Sequence, residues 1–403
     1  MPPAAFRGVF TQQEPIDEAA IAGAVAVLRT GRLHRYNVLP GEVSQAALLE
    51  RDYAAWQGSR YCLACASGGQ AMQLALRAYG IAPGAPVLTN AFTLAPVPGA
   101  IVAAGGRLVF VETTADLVID LHDLARKAQE SGARLLLISH MRGHLVDMDA
   151  LVKVLDRHGV TLIEDCAHTM GASWNGRRSG SFGLAACFSA QTYKHVNAGE
   201  GGLLVSDDAD LMARAIVSSG SYMLYDRHGA APDLAAFAAA RMESPNLSAR
   251  MDNLRAAILR PQLATLDRNI ERWNQRYAAV AAELARVQAI RMPARAAAER
   301  FVGSSIQFLV PGIAPDAARR FVAANAALGV ELKWFGDPEP RGYTSTHLSW
   351  RFVDPQVLPA TDRILSDLFD MRIPLTFSAG DCTQIGQIIA HCASELGAVA
   401  MAG

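Results

Sequence analysis

Three runs decide how this chain reads: Gly180-Ser181-Phe182-Gly183, then Ala185-Ala186-Cys187-Phe188-Ser189-Ala190-Gln191-Thr192-Tyr193-Lys194, then Gly199-Glu200-Gly201-Gly202-Leu203-Leu204-Val205-Ser206. Residues 185–189 and 202–206 are apolar runs of strand length, and the link between them is polar and glycine-rich, the kind of loop on which function is carried. Lys194 stands in that link. Lysine is scarce here: of 37 basic side chains only Lys127, Lys153, Lys194 and Lys333 are lysines. Lys127 and Lys153 have polar neighbours on helical stretches and read as solvated. Lys194 follows a buried strand, where desolvation depresses an amine's pKa and makes it a Schiff-base nucleophile. A phosphate contact and a plain loop charge are the other readings of its position.

Upstream, short apolar runs alternate with segments of helical period: 61–66 then 70–79, 86–88 then 95–104, 108–111 then 120–131, 135–139 then 148–158, and 161–164. This rhythm predicts an α/β fold, a mainly parallel sheet between helices. Downstream of residue 250 the texture changes to a helical stretch over 253–287, with apolar positions from Leu254 and Ile258 through Trp273, Tyr277 and Val280 and a possible break at Pro261. Beyond it, the run 305–310, a helix over 315–328, the run 329–334 and a terminal helix over 383–396 predict a smaller C-terminal α+β domain. The expected division is 1–262, a large domain with its N-terminal segment, and 263–403, a small domain with the connecting helix.

With 37 Lys plus Arg against 38 Asp plus Glu, the net charge is −1, which argues against nucleic acid as a partner. At 51% hydrophobic and 19% charged residues the chain can bury a large core. Its longest apolar stretches, such as 19–28, fall short of the roughly 18–20 residues of a membrane span. The first ten residues lack a signal peptide's apolar segment. The expectation is a soluble, cytoplasmic protein. Six cysteines are too sparse for a disulfide scaffold, and Cys62-Leu63-Ala64-Cys65 reads as a buried strand. His140 and His144 are separated by Arg142-Gly143, which interrupts a helix, so no metal is expected.

Two further segments join Lys194. Ser67-Gly68-Gly69-Gln70 lies between a strand and a helix, where free backbone N–H groups bind phosphate. Asp165 ends the strand near 161–164, at the carboxyl edge of a parallel sheet where such folds keep their ligands; a helix cap is its alternative role. A phosphate cradle, an edge carboxylate and an amine are together the set that pyridoxal phosphate requires.

The order and spacing of these runs resemble the DegT/StrS family of aminotransferases, which use pyridoxal 5'-phosphate and have fold type I. The likeness covers 31–50, 66–76, 90–101, 143–149, 163–172, 180–202 and 250–266. It implies a mainly parallel seven-stranded sheet, a homodimer with the active site at its interface, an amino-acid donor (glutamate or glutamine) and a keto-sugar, nucleotide-linked keto-sugar or cyclitol acceptor. Carried over by position, Lys194 is the Schiff-base lysine and proton shuttle and Asp165 the partner of the pyridine nitrogen. Gly68, Gly69, Gln70 and Ser189 form the phosphate site, and His168 contacts the ring or its phenolic oxygen.

The chain also departs from the family pattern. Gly69 replaces a hydroxyl residue, and Leu94, or Phe92 after a local shift, stands where an aromatic ring usually covers the cofactor. Ser248 replaces an asparagine reaching from the neighbouring subunit, with Asn246 as a substitute. In the C-terminal part Arg351 is the candidate for the donor's carboxylate, and Trp334, Phe335 and Trp350 are candidates to line a less polar acceptor pocket. Three other readings are an aminotransferase acting on a non-sugar acceptor, the family's dehydratase branch, with His195 in place of the lysine, and a non-catalytic binding or regulatory protein.

Overall fold

The computed structural model describes residues 3–342 and 344–400. Strands β1 (Tyr61–Cys65), β2 (Pro86–Asn90), β3 (Arg107–Val111), β4 (Leu135–Ser139), β5 (Thr161–Asp165), β6 (Ala185–Ser189) and β7 (Gly202–Ser206) form one seven-stranded sheet in the order β1-β7-β6-β5-β4-β2-β3. The strands from β2 to β6 pair in parallel, and β7 runs antiparallel to both β1 and β6. These strands read as unbroken apolar runs because both faces are covered. Along β4, Leu136 and Ile138 enter one core with Leu49, Phe188 and Leu259, while Leu135 and Leu137 enter the opposite core with Leu63, Leu74 and Ile163.

The helices begin where the sequence offers a side-chain acceptor. Ser67 caps Gly68–Tyr79, Asp147 caps Met148–His158 and Asp208 caps Ala209–Ser218, each taking a backbone N–H three residues on. The helical stretch near Pro261 is indeed divided. Helix Asn253–Gln262 holds the proline in its last turn, a 3₁₀ turn follows at Leu263–Thr265, and helix Leu266–Leu284 continues.

A second, antiparallel sheet is formed by β8 (Ser305–Leu309), β9 (Lys333–Trp334) and β10 (Leu368–Arg372) in the order β8-β10-β9. Within the run 329–334 the strand is Lys333–Trp334, and the central strand is β10, which the sequence pattern does not predict. This sheet's core joins Phe308, Phe321 and Phe369 to Ile385 and Ile388 of the helix Ala379–Ala400. Phe6 and Phe10, from the start of the chain, pack edge-on against Phe377 in the same core. The carboxyl ends of β4, β5 and β6 open toward this second sheet, and the candidate site lies there. Among the described residues no helix is long and apolar enough to cross a membrane.

Candidate active site

A cavity of about 470 Å³ lies over the carboxyl ends of β4 to β6. Its base is made by backbone packed on backbone. A Cβ on Gly68 would come within 2.9 Å of the Ser189 Cβ, and one on Gly202 would collide with the backbone of Ser67 and Gly68. Glycine at both positions lets the start of helix Gly68–Tyr79 rest directly on β6 and β7, with its N-terminus facing the cavity. Ser67 Oγ caps this helix by accepting from Gln70 N at 3.1 Å. Gly68, Gly69 and Ser189 line the cavity, whereas the Gln70 N–H is taken up by that cap.

Asp165 ends β5 as a buried carboxylate. Its oxygens accept from Ser139 Oγ at 2.9 Å and from Ala167 N at 3.1 Å. Burial raises its pKa, and those two hydrogen bonds together with the charge of Lys194 oppose the rise. Lys194 reaches in from the β6–β7 loop, which is tied by Lys194 N to Gln191 O, Thr192 N to Gly199 O and Ala190 N to Gly201 O. Its amine lies 3.1 Å from His168 Nε2. Burial, followed by the charge of Arg142, pushes the Lys194 amine down to about 7. Burial, followed by the charge of Lys194, also holds His168 well below the usual imidazole range. The result is a neutral histidine beside an amine that gives up its proton near neutrality.

The Gly180-Ser181-Phe182-Gly183 run has a structural explanation. Glu164, fully buried on β5, accepts from the N–H groups of Gly180, Phe182 and Gly183 at 3.0, 2.7 and 2.9 Å, and pairs with His140 Nε2 at 3.1 Å. A Cβ on Gly183 would strike Leu162 O. The run therefore fixes the approach to β6 and so the height of Ser189. His140 is held by this carboxylate, and His144 binds Gln307 Oε1 at 2.9 Å.

Of the residues anticipated from sequence, the structure brings Gly68, Gly69, Leu94, Asp165, His168, Ser189 and Lys194 into one cavity. Leu94 forms part of its wall, while Phe92 is buried against Phe335 with ring centroids 5.3 Å apart. Asn246 and Ser248 lie outside the cavity of this chain on an exposed segment, tied to each other by Ser248 N to Asn246 Oδ1 at 2.9 Å. Arg351 is exposed and outside the cavity. The three aromatics expected to line an acceptor pocket are instead buried in cores: Trp334 donates to Ser366 O, Phe335 packs on Phe92, and Trp350 packs beside Phe110. His195 turns away from the cavity, its ring edge-on to Trp273 and its Nε2 3.0 Å from Ser304 Oγ.

Sequence reasoning missed Ser139, which orients Asp165, and the two arginines beside Lys194. Arg142 and Arg372 come from the turn after β4 and the end of β10. The one available signal was the left-handed turn foreshadowed by Arg142-Gly143.

Residues 16–387 match the model of the DegT/DnrJ/EryC1/StrS aminotransferase family, and the chain belongs to that family. It is 32% identical over 224 residues to a pleiotropic regulatory protein of Geobacillus stearothermophilus, covering 55% of this chain and 56% of that one. It is 35% identical over 237 residues, 58% of each chain, to dTDP-3-amino-3,4,6-trideoxy-alpha-D-glucose transaminase of Streptomyces venezuelae. The chain thus spans somewhat over half the length of these curated relatives. The solved structure of 3-amino-5-hydroxybenzoic acid synthase superposes with a TM-score of 0.81 at 25% identity, over 98% of this chain and all of that one.

Proposed function

We propose that the protein is an aminotransferase that moves an amino group from an amino acid, glutamate or glutamine, to a keto-sugar, nucleotide-linked keto-sugar or cyclitol, with pyridoxal 5'-phosphate as cofactor. The single observation that carries this reading is the half-buried Lys194 amine, 3.1 Å from His168, in the glycine-floored cavity that also holds Asp165. The residues fit the cofactor. Gly68, Gly69 and Ser189 offer an anion site at a helix N-terminus, Asp165 offers a carboxylate to a protonated ring nitrogen, and Leu94 and His168 flank the space between. When bound, the cofactor supplies an aldehyde to capture the amine and a ring that withdraws electrons from the substrate carbon.

The chain's own groups do the rest. The Lys194 amine, neutral above about pH 7, takes and returns the proton on the substrate carbon that bears nitrogen. His168, neutral and 3.1 Å away, holds that amine in place by hydrogen bonding. Ser139 and the Ala167 N–H donate to Asp165 and favour its anionic form against the upward push of burial.

The reading extends to a cytoplasmic homodimer in which Asn246 and Ser248, exposed in one chain, reach the neighbouring site, and to a division of the chain at 262/263. The transaminase activity of the Streptomyces relative supports the substrate class. The test is an absorbance titration of purified protein with pyridoxal phosphate, followed by glutamate, glutamine and alanine in turn. The expected result is a visible cofactor band that one donor bleaches and a keto acceptor restores. A cofactor band unmoved by every donor would move the protein to a dehydratase or binding role.

A further inference from the structure

On the other side of Lys194 from the cavity lies a recess of about 40 Å³ between the Lys194 loop and the second sheet. Leu94, His168, Gln191 and Lys194 line both spaces, so the two adjoin across these side chains. The far wall of the recess is Arg142, Arg372, Ser304 and Ser305.

Arg142 is only 6% exposed and sits at φ 56°, ψ 21°, a left-handed conformation uncommon for a side chain of this kind. Its Nη2 stands 2.6 Å from Asp370 Oδ2, an ion contact without hydrogen-bond alignment, and its Nε has no hydrogen-bond partner. The other oxygen of Asp370 accepts from Gln307 Nε2 at 2.8 Å. Arg372, half-buried, stacks over the Tyr193 ring 3.5 Å from its centroid and donates through Nη2 to Phe10 O at 3.0 Å. Lys333 lies opposite Asp370 in the strand register. Asp370 is therefore the carboxylate facing the two guanidinium groups, Arg142 and Arg372, that wall the recess. A buried surplus of positive charge with an unmatched guanidinium N–H is unfavourable until an anion enters.

The structure assigns this recess as a carboxylate-binding subsite, in which Arg142 and Arg372 hold the carboxylate of a substrate whose reacting carbon lies at Lys194. The inference rests on the aminotransferase reading and specifies what that site accepts. A planar guanidinium matches a carboxylate by paired N–H donors. Because the recess shares the Lys194 and His168 wall, a group held there lies beside the amine that acts on the substrate carbon. Either an amino-acid donor or a carboxylated acceptor brings such a group. The assignment also replaces Arg351, which the fold leaves exposed.

The test compares wild type with Arg142→Gln and Arg142→Lys as holoenzymes. Propionate and its neutral amide, neither of which can react, are titrated by calorimetry. Separately, KM and kcat are measured for donor and acceptor. The expected result is propionate binding by wild type but not its amide, at least about 10-fold weaker in Arg142→Gln and partly restored in Arg142→Lys. KM for the carboxylated substrate rises by about 10- to 100-fold, with a smaller change in kcat. A rise confined to the donor identifies the donor's carboxylate, and one confined to the acceptor identifies the acceptor's. Equal affinity for propionate and its amide in wild type, or unchanged propionate affinity and KM values in Arg142→Gln, overturns the subsite. The first of these needs no variant and stands even where Arg142→Gln misfolds. Failure of the aminotransferase reading looks different: wild type exchanges no amine with any donor, whatever propionate does.

Discussion

The floor and the side recess of the cavity are built on opposite electrostatic plans. On the floor, Asp165 is buried but satisfied, with Ser139 and the Ala167 N–H on its oxygens. Beneath it Glu164 is saturated by three backbone N–H groups and His140. In the recess the cations outnumber the acid, and Arg142 Nε is unmatched. A satisfied buried network specifies geometry, whereas an unsatisfied one marks where a ligand completes the charge balance. The floor is thus a rigid seat for chemistry, and the recess is a place for binding.

The largest effect is expected from removing the amine that reaches in over the floor. Lys194→Ala should eliminate steady-state amine exchange, a loss of about 10⁴-fold or more, since it removes the amine that both captures the cofactor aldehyde and moves the substrate proton. Rate measurements under saturating donor and acceptor check this, and turnover retained within 100-fold would remove Lys194 from the mechanism. Asp165→Asn keeps the shape and removes the charge. Turnover should fall by about 10²-fold or more with the fold intact, because a neutral amide no longer stabilises a protonated ring nitrogen. Circular dichroism beside the kinetics separates that outcome from unfolding.

The two regions also differ in how far the sequence exposes them. Lys194, Ser189 and the glycines around them lie close together along the chain, so strand-loop-strand texture and residue type are enough to locate them. Gly68 and Gly202 are far apart in sequence, yet each is legible because only glycine permits that backbone approach. The recess could not be read in this way. Arg142 faces it only because the turn after β4 adopts a left-handed conformation, and Arg372 belongs to a strand disguised by its neighbours. Ile364, Leu365, Leu368 and Phe369 keep a helical spacing across the point where helix Pro359–Asp367 becomes β10. Two arginines 230 positions apart become neighbours only through the packing of the second sheet against the first. The buried fates of Trp334, Phe335 and Trp350 were hidden for the same reason. Aromatic residues serve equally well in a core or a pocket, and composition does not distinguish them.

Glu164→Gln attacks the floor's support without touching the cavity. It turns an acceptor-only carboxylate into an amide that cannot accept from Gly180, Phe182, Gly183 and His140 together. The expected cost is roughly 2–4 kcal/mol of stability, read by denaturant unfolding of the cofactor-free protein. An unchanged midpoint would mean the Gly180–Gly183 turn holds itself.

The Lys194 amine makes a pH prediction of definite sign. Its folded-state pKa of about 7 lies below the 10.5 ordinary for a lysine amine, so between those values the unfolded chain binds the extra proton. Stability of the cofactor-free protein should therefore rise with pH across that window, with a slope of up to about 1.4 kcal/mol per pH unit from this group. The contribution is lost as pH falls toward 7. Lys194→Met should flatten the rise. A wild-type profile as flat as the variant's would place the amine in a wetter environment than its burial implies.

The smallest effect is expected at Arg351, which by sequence alone was the natural candidate to hold a donor's carboxylate. It stands exposed outside the cavity, whereas Arg142 and Arg372 line the recess beside Lys194. A solvent-facing guanidinium that meets no substrate contributes little, so Arg351→Ala should change donor KM by less than about twofold and leave unfolding within about 0.5 kcal/mol of wild type. The comparison with Arg142→Gln is the informative one, since both substitutions remove a single positive charge from the same protein. If long-range charge alone drew acidic substrates in, both would weaken binding modestly and the difference would fade in high salt. If binding depends on a charge-assisted contact in a dry recess, only Arg142→Gln has a large effect, and that effect survives salt. A tenfold rise in donor KM for Arg351→Ala would instead bring that arginine to a site, and in the proposed homodimer the site it reached would be the neighbour's.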